Sequence, residues 1–286
     1  MWWIDMVYKR ILTVQDISCL GQCSAAVALP ILSACGLETC LLPTMLLSTH
    51  TGGLGVPVRR DLSEDILPIC DHWQSQGITF DGICVGYLGK AHQADMVAEV
   101  SRRLLAKDGI LIVDPAVADH GKLYRNIDES CIHAMKALCH QADVILPNVT
   151  EACFLADVNY HEPSTEDQVH SLLDELERQY GGTIVLTGAQ MQPGEIGFAL
   201  RARGEDIIYQ RPRVGKSYHG TGDMFTAVFS GALLQGKSTW EAAVLAAEFV
   251  ARAAENTFVA PAHAYGVKFE TVLPWLMETL KEKASG

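Results

Sequence analysis

The residues best suited to chemistry form a glycine-rich turn late in the chain, Gly220-Thr221-Gly222-Asp223, directly before the apolar residues 224–234. Glycines let the backbone bend so that successive N–H groups point into one space. At the start of a helix such groups, together with the helix dipole, bind anions. An aspartate beside such a site can accept a hydroxyl proton while that oxygen attacks phosphorus. The alternative is an ordinary helix start in which Asp223 is a first-turn acid.

A second candidate group lies in the segment Asn148-Val149-Thr150-Glu151. Asn148 ends a predicted strand, and Glu151 follows one helical turn later, so both side chains can face the same crevice. Carboxylate and amide oxygens suit hydrated Mg²⁺. The alternative is a capping box, in which Asn148 caps the helix and Glu151 bonds back to it.

Two further strand ends carry polar groups. Asp114 ends an apolar strand before Pro115, and Asp119 follows five residues later. These carboxylates could support a metal or its water ligands, or could belong to an ordinary turn. Tyr87 could stack on a flat ligand or simply cap the sheet edge.

Apolar strands alternate with amphipathic helices along the chain. This alternation predicts an α/β fold whose central sheet is mostly parallel and covered by helices on both faces, as a single domain over residues 1–286. Ligands of such folds bind beyond the carboxyl ends of the strands, so five strand-end residues should converge. These are Asp16, Tyr87, Asp114, Asn148 and Thr187. The predicted strands are 10–15, 39–42, 82–86, 110–114, 144–147 and 183–187. The predicted helices are 24–35, 93–107, 128–141, 165–180, 224–234 and 239–256, with an antiparallel edge hairpin of 195–203 and 206–211.

The composition limits the classes of partner. Asp and Glu number 34 against 22 Lys and Arg, a net charge of −12, which argues against nucleic acid or an anionic membrane as the main partner. No apolar run reaches the roughly 18 residues of a membrane span, and residues 1–10 lack the charge order of a secretory signal. The nine cysteines include no Cys-x-x-Cys pair, which indicates reduced thiols in a cytoplasmic protein without a zinc site.

With these residues placed, the chain resembles the ribokinase-like superfamily, and within it the pyridoxal (vitamin B6) kinases. The turn at 220–223 matches the anion-hole turn and base of the superfamily, and the segment 148–151 matches its Asn-x-x-Glu motif. Residues 47–52 resemble the substrate flap of pyridoxal kinases. Val85-Gly86-Tyr87 and Asp114-Pro115 with Asp119 resemble two further segments of that family.

The resemblance implies an ATP-dependent kinase that phosphorylates the 5'-hydroxymethyl group of pyridoxal, pyridoxine or pyridoxamine. Asp223 would be the base, assisted by the amides of Gly220, Thr221 and Gly222. Glu151, Asn148 and Asp119 would organise Mg²⁺, with K⁺ as a candidate further ion. The implied ATP-binding residues are Asp114, Asn148, Glu151, Thr187, Gly188 and Thr221. The implied substrate-binding residues are Asp16, Cys23, His50, Thr51 and Tyr87. A cytoplasmic homodimer is expected.

Three residues depart from the pattern of pyridoxal kinases: Asp16 stands where many have Ser, Leu47 replaces an aromatic residue, and Cys23 takes a position that is often Val. An acid at position 16 could pair with a ring nitrogen, a phenol or an aminomethyl group. Two alternatives therefore stay open. One is a hydroxymethylpyrimidine kinase, and the other is a non-catalytic vitamin-binding protein on the same fold.

Overall fold

The computed structural model describes residues 8–52, 54–215, 218–259 and 265–281. Within them, nine strands form one sheet in the order β11-β10-β9-β8-β5-β4-β1-β2-β3, and β6 and β7 pair separately. The strands of the sheet are β1 (Arg10–Ser18), β2 (Glu38–Leu47), β3 (Arg59–Asp61), β4 (Phe80–Val85), β5 (Leu105–Val113), β8 (Val144–Ile145), β9 (Thr183–Ala189), β10 (Glu195–Ala202) and β11 (Glu205–Pro212). The small ribbon consists of β6 (Ala118–Asp119) and β7 (Lys122–Leu123).

The middle of the sheet is parallel. The six strands β2, β1, β4, β5, β8 and β9 pair with one another in parallel register. Antiparallel pairs occur at both edges, where β3 joins β2 and the β10–β11 hairpin joins β9. The structure confirms the predicted α/β class, the mostly parallel sheet and the edge hairpin.

Helices cover both faces of this sheet. Their bounds are α1 (Ala25–Ala34), α2 (Ser63–Ser75), α3 (Ala91–Leu104), α4 (Glu129–Cys139), α5 (Val149–Leu155), α6 (Glu166–Tyr180), α7 (Thr221–Leu234), α8 (Thr239–Phe258) and α9 (Leu273–Lys281), with a 3₁₀ turn at Phe269–Val272. Helices α2 to α6 pack on one face and α1, α7, α8 and α9 on the other.

The alternation of side chains along the strands explains why the strands are apolar throughout. In β1, Ile11 packs into the core on the α1 and α7 side, while Leu12 and Val14 pack into the opposite core. Because successive side chains point to opposite faces, a strand with helices on both sides must be apolar at every position.

Several predicted bounds were wrong. The helix predicted over 93–107 ends at Leu104, because β5 begins at Leu105 without a connecting loop. The hairpin turn lies at Arg203 and Gly204, one residue earlier than predicted, and both residues have positive φ, 54° and 76°. Such a pair fits the type I′ turn that twisted hairpins favour. The elements β3, α2, β6, β7 and α9 were not predicted from the sequence.

All nine cysteines are free, and six of them are buried. In the part of the chain that the structure describes, no helix is both long and apolar enough to cross a bilayer. The first seven residues, which bear on the prediction about a secretory signal, lie outside the described residues.

Candidate active site

The carboxyl ends of the central strands open into one cavity of about 840 Å³. All 15 residues assigned to the site from the sequence line this cavity. The five strand-end residues are among them, so the predicted convergence is confirmed. The reason is topological, because parallel strands place their carboxyl ends at the same edge of the sheet.

The glycine turn forms the start of α7. Gly220 caps the helix in the left-handed conformation, with φ 81°, and a Cβ there would lie 1.8 Å from the carbonyl oxygen of Gln22. Only glycine satisfies both conditions. Gly222 is exposed, with no atom within 4 Å of a Cβ position. Since the first amides of a helix have no acceptor within it, the amides of Thr221 and Gly222 are suited to an anion in the cavity.

Asp223 follows in the first turn of α7. Burial, together with the negative charges of Asp114 and Asp16, raises the pKa of its carboxyl to about 7, while a hydrogen bond from the backbone of Ser24 acts in the opposite direction. A carboxyl that titrates near neutral pH is a more effective proton acceptor than an ordinary aspartate. Asp223 is therefore a first-turn acid of α7, as the alternative interpretation of the sequence has it, and its pKa is raised.

Ser24 was given no role from the sequence, yet it connects two acids of the site. It precedes α1 with φ 52°, a conformation that costs a non-glycine residue about 1–3 kcal/mol. In this position its side chain is hydrogen-bonded to the carboxyl of Asp16, and its backbone is hydrogen-bonded to the carboxyl of Asp223. The one available signal was its place beside Cys23 at the predicted helix start.

Asp114 is held by the same helix that carries Asp223. The hydroxyl of Thr226 donates to Asp114 Oδ2 at 2.7 Å, and burial raises the pKa of Asp114 to about 6. Thr226 also escaped prediction, although its spacing of three residues from Asp223 puts both on one face of a helix.

Asn148 and Glu151 form the capping box that was the alternative to a metal site. Asn148 Oδ1 accepts the N–H of Glu151, and Glu151 Oε2 accepts the N–H of Asn148, both at 2.9 Å. Glu151 Oε1 also accepts the backbone N–H groups of Val117 at 3.1 Å and Ala118 at 3.4 Å. These contacts anchor the loop before β6 to the start of α5. Asp119 is exposed, and its Oδ1 accepts the N–H of His120.

The donor chemistry around this loop fits Mg²⁺ bound largely through water. Burial and the charge of Asp114 hold the pKa of Glu151 well above its ordinary value, so a divalent cation nearby would offset the mutual repulsion of these carboxylates. No group of three or more His, Cys, Asp or Glu among the described residues is arranged as a direct metal cage. Mg²⁺ keeps several of its waters in proteins, so a direct cage is not required.

The opposite end of the cavity offers cations and an apolar wall. Thr187 and Gly188, at the end of β9, line it together with Ala247, Val250 and Ala251 of α8. Four basic residues that the sequence did not single out also line the cavity: Lys122, Arg125, Arg211 and Arg213. An apolar wall next to basic side chains suits a flat base that carries phosphates.

The flap segment packs against the glycine turn. The rings of His50 and His219 lie 5.1 Å apart, and a Cβ on Gly52 would lie 2.5 Å from His219. His50 is buried, and burial together with His219 lowers the pKa of its imidazole. His50 and Thr51 thereby cover the cavity from the side of Gly220.

The remaining predicted substrate residues, Asp16, Cys23 and Tyr87, line the same cavity. Asp16 is buried, and Ser18 Oγ donates to its Oδ2 at 3.0 Å. Burial raises the pKa of the Cys23 thiol, and the charges of Asp223 and Asp16 raise it further, so Cys23 is protonated at neutral pH. Burial and the charge of Asp16 raise the pKa of Tyr87 to about 12.

The sheet order, the strand-end cavity and the anion turn with its perturbed aspartate define a small-molecule kinase of the ribokinase-like superfamily. The family described as phosphomethylpyrimidine kinase matches residues 39–267, and the chain belongs to this family.

Individual relatives give the same result. A pyridoxal kinase of Lactobacillus plantarum is 31% identical, with a TM-score of 0.88 over 96% of this chain and 98% of that one. A pyridoxine/pyridoxal/pyridoxamine kinase of Bordetella avium is 28% identical over 87% of this chain and 86% of its own length. A Leishmania donovani pyridoxal kinase solved with ADP and pyridoxamine shares the fold, with a TM-score of 0.81 over 94% of this chain and 95% of that one at 23% identity.

Proposed function

We propose that this protein transfers the γ-phosphoryl group of ATP to the 5'-hydroxymethyl group of a B6 vitamer. The observation that carries the proposal is Asp223, a carboxyl with a pKa of about 7 placed in the first turn of the helix that Gly220 caps. The same cavity contains the His50-Thr51 flap at one end and the apolar, basic wall at the other. Both reactants therefore have a place on the two sides of one proton acceptor.

The reaction needs one proton transfer and one phosphoryl transfer. Asp223 accepts the proton of the hydroxymethyl group as that oxygen attacks the γ-phosphorus, and the bond from phosphorus to the bridging oxygen of ADP breaks. The amides of Thr221 and Gly222 stabilise the charge on the transferring oxygens. Such catalysis depends mainly on positioning and on electrostatic stabilisation.

Mg²⁺ supplies charge neutralisation for the triphosphate when it is bound. In this proposal Glu151, Asn148 and Asp119 hold the metal through its water ligands, and Asp114, Thr187 and Gly188 lie beside the nucleotide. A role for K⁺, a homodimeric state, a cytoplasmic location and a single domain over residues 1–286 are further parts of the proposal. The nine free thiols support the reducing compartment.

The test is a direct assay. The purified protein is incubated with ATP, Mg²⁺ and each of the three vitamers, and the phosphorylated products are separated and quantified. We expect product only when ATP and Mg²⁺ are both present, and chelation with EDTA should stop turnover. Absence of product from every vitamer would refute the proposal.

A second candidate substrate is a hydroxymethylpyrimidine, because the matching family is described as phosphomethylpyrimidine kinase. It has the same reactive group on a flat heteroaromatic ring, so the same assay distinguishes the two. A non-catalytic vitamin-binding role predicts binding without turnover, and retention of Asp223 and Glu151 speaks against it.

A further inference from the structure

The acceptor end of the cavity contains a buried carboxylate without a cationic partner. Asp16 is 2% exposed and lies where the pairing of β1 with β2 shifts register between Gln15 and Ile17. Bulges of this kind redirect a side chain beside an active site, and Asp16 lines the cavity. The position is thus built to present a carboxylate to the acceptor.

The immediate partners of Asp16 are neutral. The hydroxyls of Ser18 and Ser24 bond its carboxylate. None of the ion pairs among the described residues includes Asp16. Burial raises the pKa of Asp16, because no cation offsets the lost hydration of its charge. A cation placed beside this carboxylate is therefore strongly favoured.

The groups around Asp16 add no positive charge. Its own charge raises the pKa values of Cys23, Tyr87 and Asp223, which places all three within electrostatic reach of it. Arg59 lies near Tyr87, but it is an exposed residue of β3 outside the cavity lining. The acceptor end of the cavity is therefore acidic.

The basic lining residues lie elsewhere. Arg213 directly follows β11, an edge strand that six strand spacings of about 4.8 Å separate from β1. Arg211, within β11, is already paired with Glu248 and Glu255. Lys122 belongs to the β6–β7 ribbon, which packs on α5 through a bond from Gly121 N to Thr150 Oγ1. The cavity thus has a cationic side for phosphates and an acidic side for the acceptor.

The three B6 vitamers differ in one substituent, and this substituent meets an acidic pocket differently in each. An ionised carboxylate only accepts hydrogen bonds. An aldehyde oxygen also only accepts, so it repels the carboxylate. An alcohol donates a neutral hydrogen bond, and an ammonium group donates a charge-assisted one, which is the strongest of the three.

We propose that Asp16 selects the acceptor by charge, so that this kinase prefers the vitamer with an aminomethyl group, pyridoxamine, over the alcohol pyridoxine and prefers both over the aldehyde pyridoxal. The inference rests on the proposed function and names the preferred substrate of the same site. It assigns Asp16 as a specificity-determining residue.

The experiment compares kcat/KM for the three vitamers in the wild-type enzyme and in Asp16→Asn. In the wild type, kcat/KM should be highest for pyridoxamine. In the variant, the preference for pyridoxamine over pyridoxal should fall by about fivefold to tenfold, the usual difference between a charge-assisted and a neutral hydrogen bond. Asp16→Ser should lower the preference similarly. Thermal melting and ADP binding verify that each variant is folded.

Asp119→Asn is the matched control, because it removes one carboxylate from the same cavity on an exposed residue. It should alter kcat/KM for all vitamers by a common factor and leave their ratio unchanged.

Equal kcat/KM for the three vitamers, or a preference that survives Asp16→Asn, would overturn the inference. The second result would show that Asp16 pairs with a group that all vitamers share, such as the ring nitrogen or the phenol. Either result leaves the proposed kinase activity standing. The absence of product from every vitamer would instead refute both the proposed kinase activity and the role of Asp16.

Discussion

Replacement of Asp223 by Asn should abolish turnover and at the same time stabilise the fold. The structure raises the pKa of this carboxyl from 3.8 to about 7, first by burial and then through Asp114 and Asp16. Its ionised form, which the reaction needs, is therefore the form that the folded protein tolerates least. Active sites often retain such unfavourable groups for function.

The loss of activity follows from the role of a general base, which contributes about 10²- to 10⁴-fold to a rate. In the wild type, kcat/KM should fall about tenfold per pH unit below about pH 7, because the protonated carboxyl cannot accept the substrate proton. Asp223→Asn should lose both the rate and this acid limb.

The gain in stability follows from linkage. Because the pKa in the folded state lies above that in the unfolded state, ionisation of Asp223 destabilises the fold progressively between about pH 4 and pH 7, and fully above. A shift from 3.8 to about 7 corresponds to roughly 4 kcal/mol as an upper limit. Partial exposure of Asp223 reduces this destabilisation. We therefore expect Asp223→Asn to raise the free energy of unfolding by about 1–3 kcal/mol at pH 8 and by less at pH 5.5.

The assay combines ADP release under saturating substrates with thermal melting at pH 5.5 and pH 8. Asp167→Asn serves as the matched control, since Asp167 is an exposed first-turn acid of α6. It should keep full activity and lower stability slightly, because a first-turn acid interacts favourably with the helix dipole by about 0.3–1 kcal/mol. If Asp223→Asn melted lower than the wild type and still turned over, both the assigned base and the electrostatic argument would be wrong.

Four other substitutions have defined outcomes. Gly220→Ala should lower both stability and activity, because the new methyl group would lie 1.8 Å from a carbonyl oxygen at a φ of 81°. Gly222→Ala, with no atom within 4 Å, should melt like the wild type, and equal melting of the two variants would contradict this account. Asp114→Asn should move the acid limb of kcat/KM to lower pH, because the charge of Asp114 raises the pKa of Asp223; an unmoved limb would exclude their coupling. Arg201→Met should destabilise the fold by about 2 kcal/mol in chemical denaturation without changing kcat, because it removes the charged hydrogen bonds of the guanidinium to Asp206, whose carboxylate is largely buried.

Much of the site was predictable because strand ends in a parallel sheet have only one place to meet. Asp16 lies near the end of β1, while Tyr87 and Asp114 follow β4 and β5, and the convergence of the three required no knowledge of contacts. The glycine turn was also predictable, since Gly220 and Gly222 stand at the start of an apolar helix and allow backbone conformations that other residues disfavour.

Other features could not be predicted because they depend on residues far apart in the sequence. Thr226 bonds Asp114 across 112 positions. Asn148 and Glu151 have the same sequence pattern whether they cap a helix or support a metal, and only the structure showed that their direct contacts are those of the capping box. The omitted strand β3 consists of Arg59, Arg60 and Asp61, which have no apolar pattern because the strand is an exposed edge.

The sequence by itself determined the fold class, the edge of the sheet at which the candidate site lies and the identity of the acid in the glycine turn, because local patterning and topology fix all three. Only the tertiary structure determined the pKa values of the carboxyls in that site. A pKa depends on burial and on neighbouring carboxylates, and the groups that raise the pKa of Asp223 come from β1 and β5, more than 100 residues away. The acidic residue Asp16 and the basic residue Arg213 likewise lie on different sides of one cavity only because the sheet separates β1 from β11.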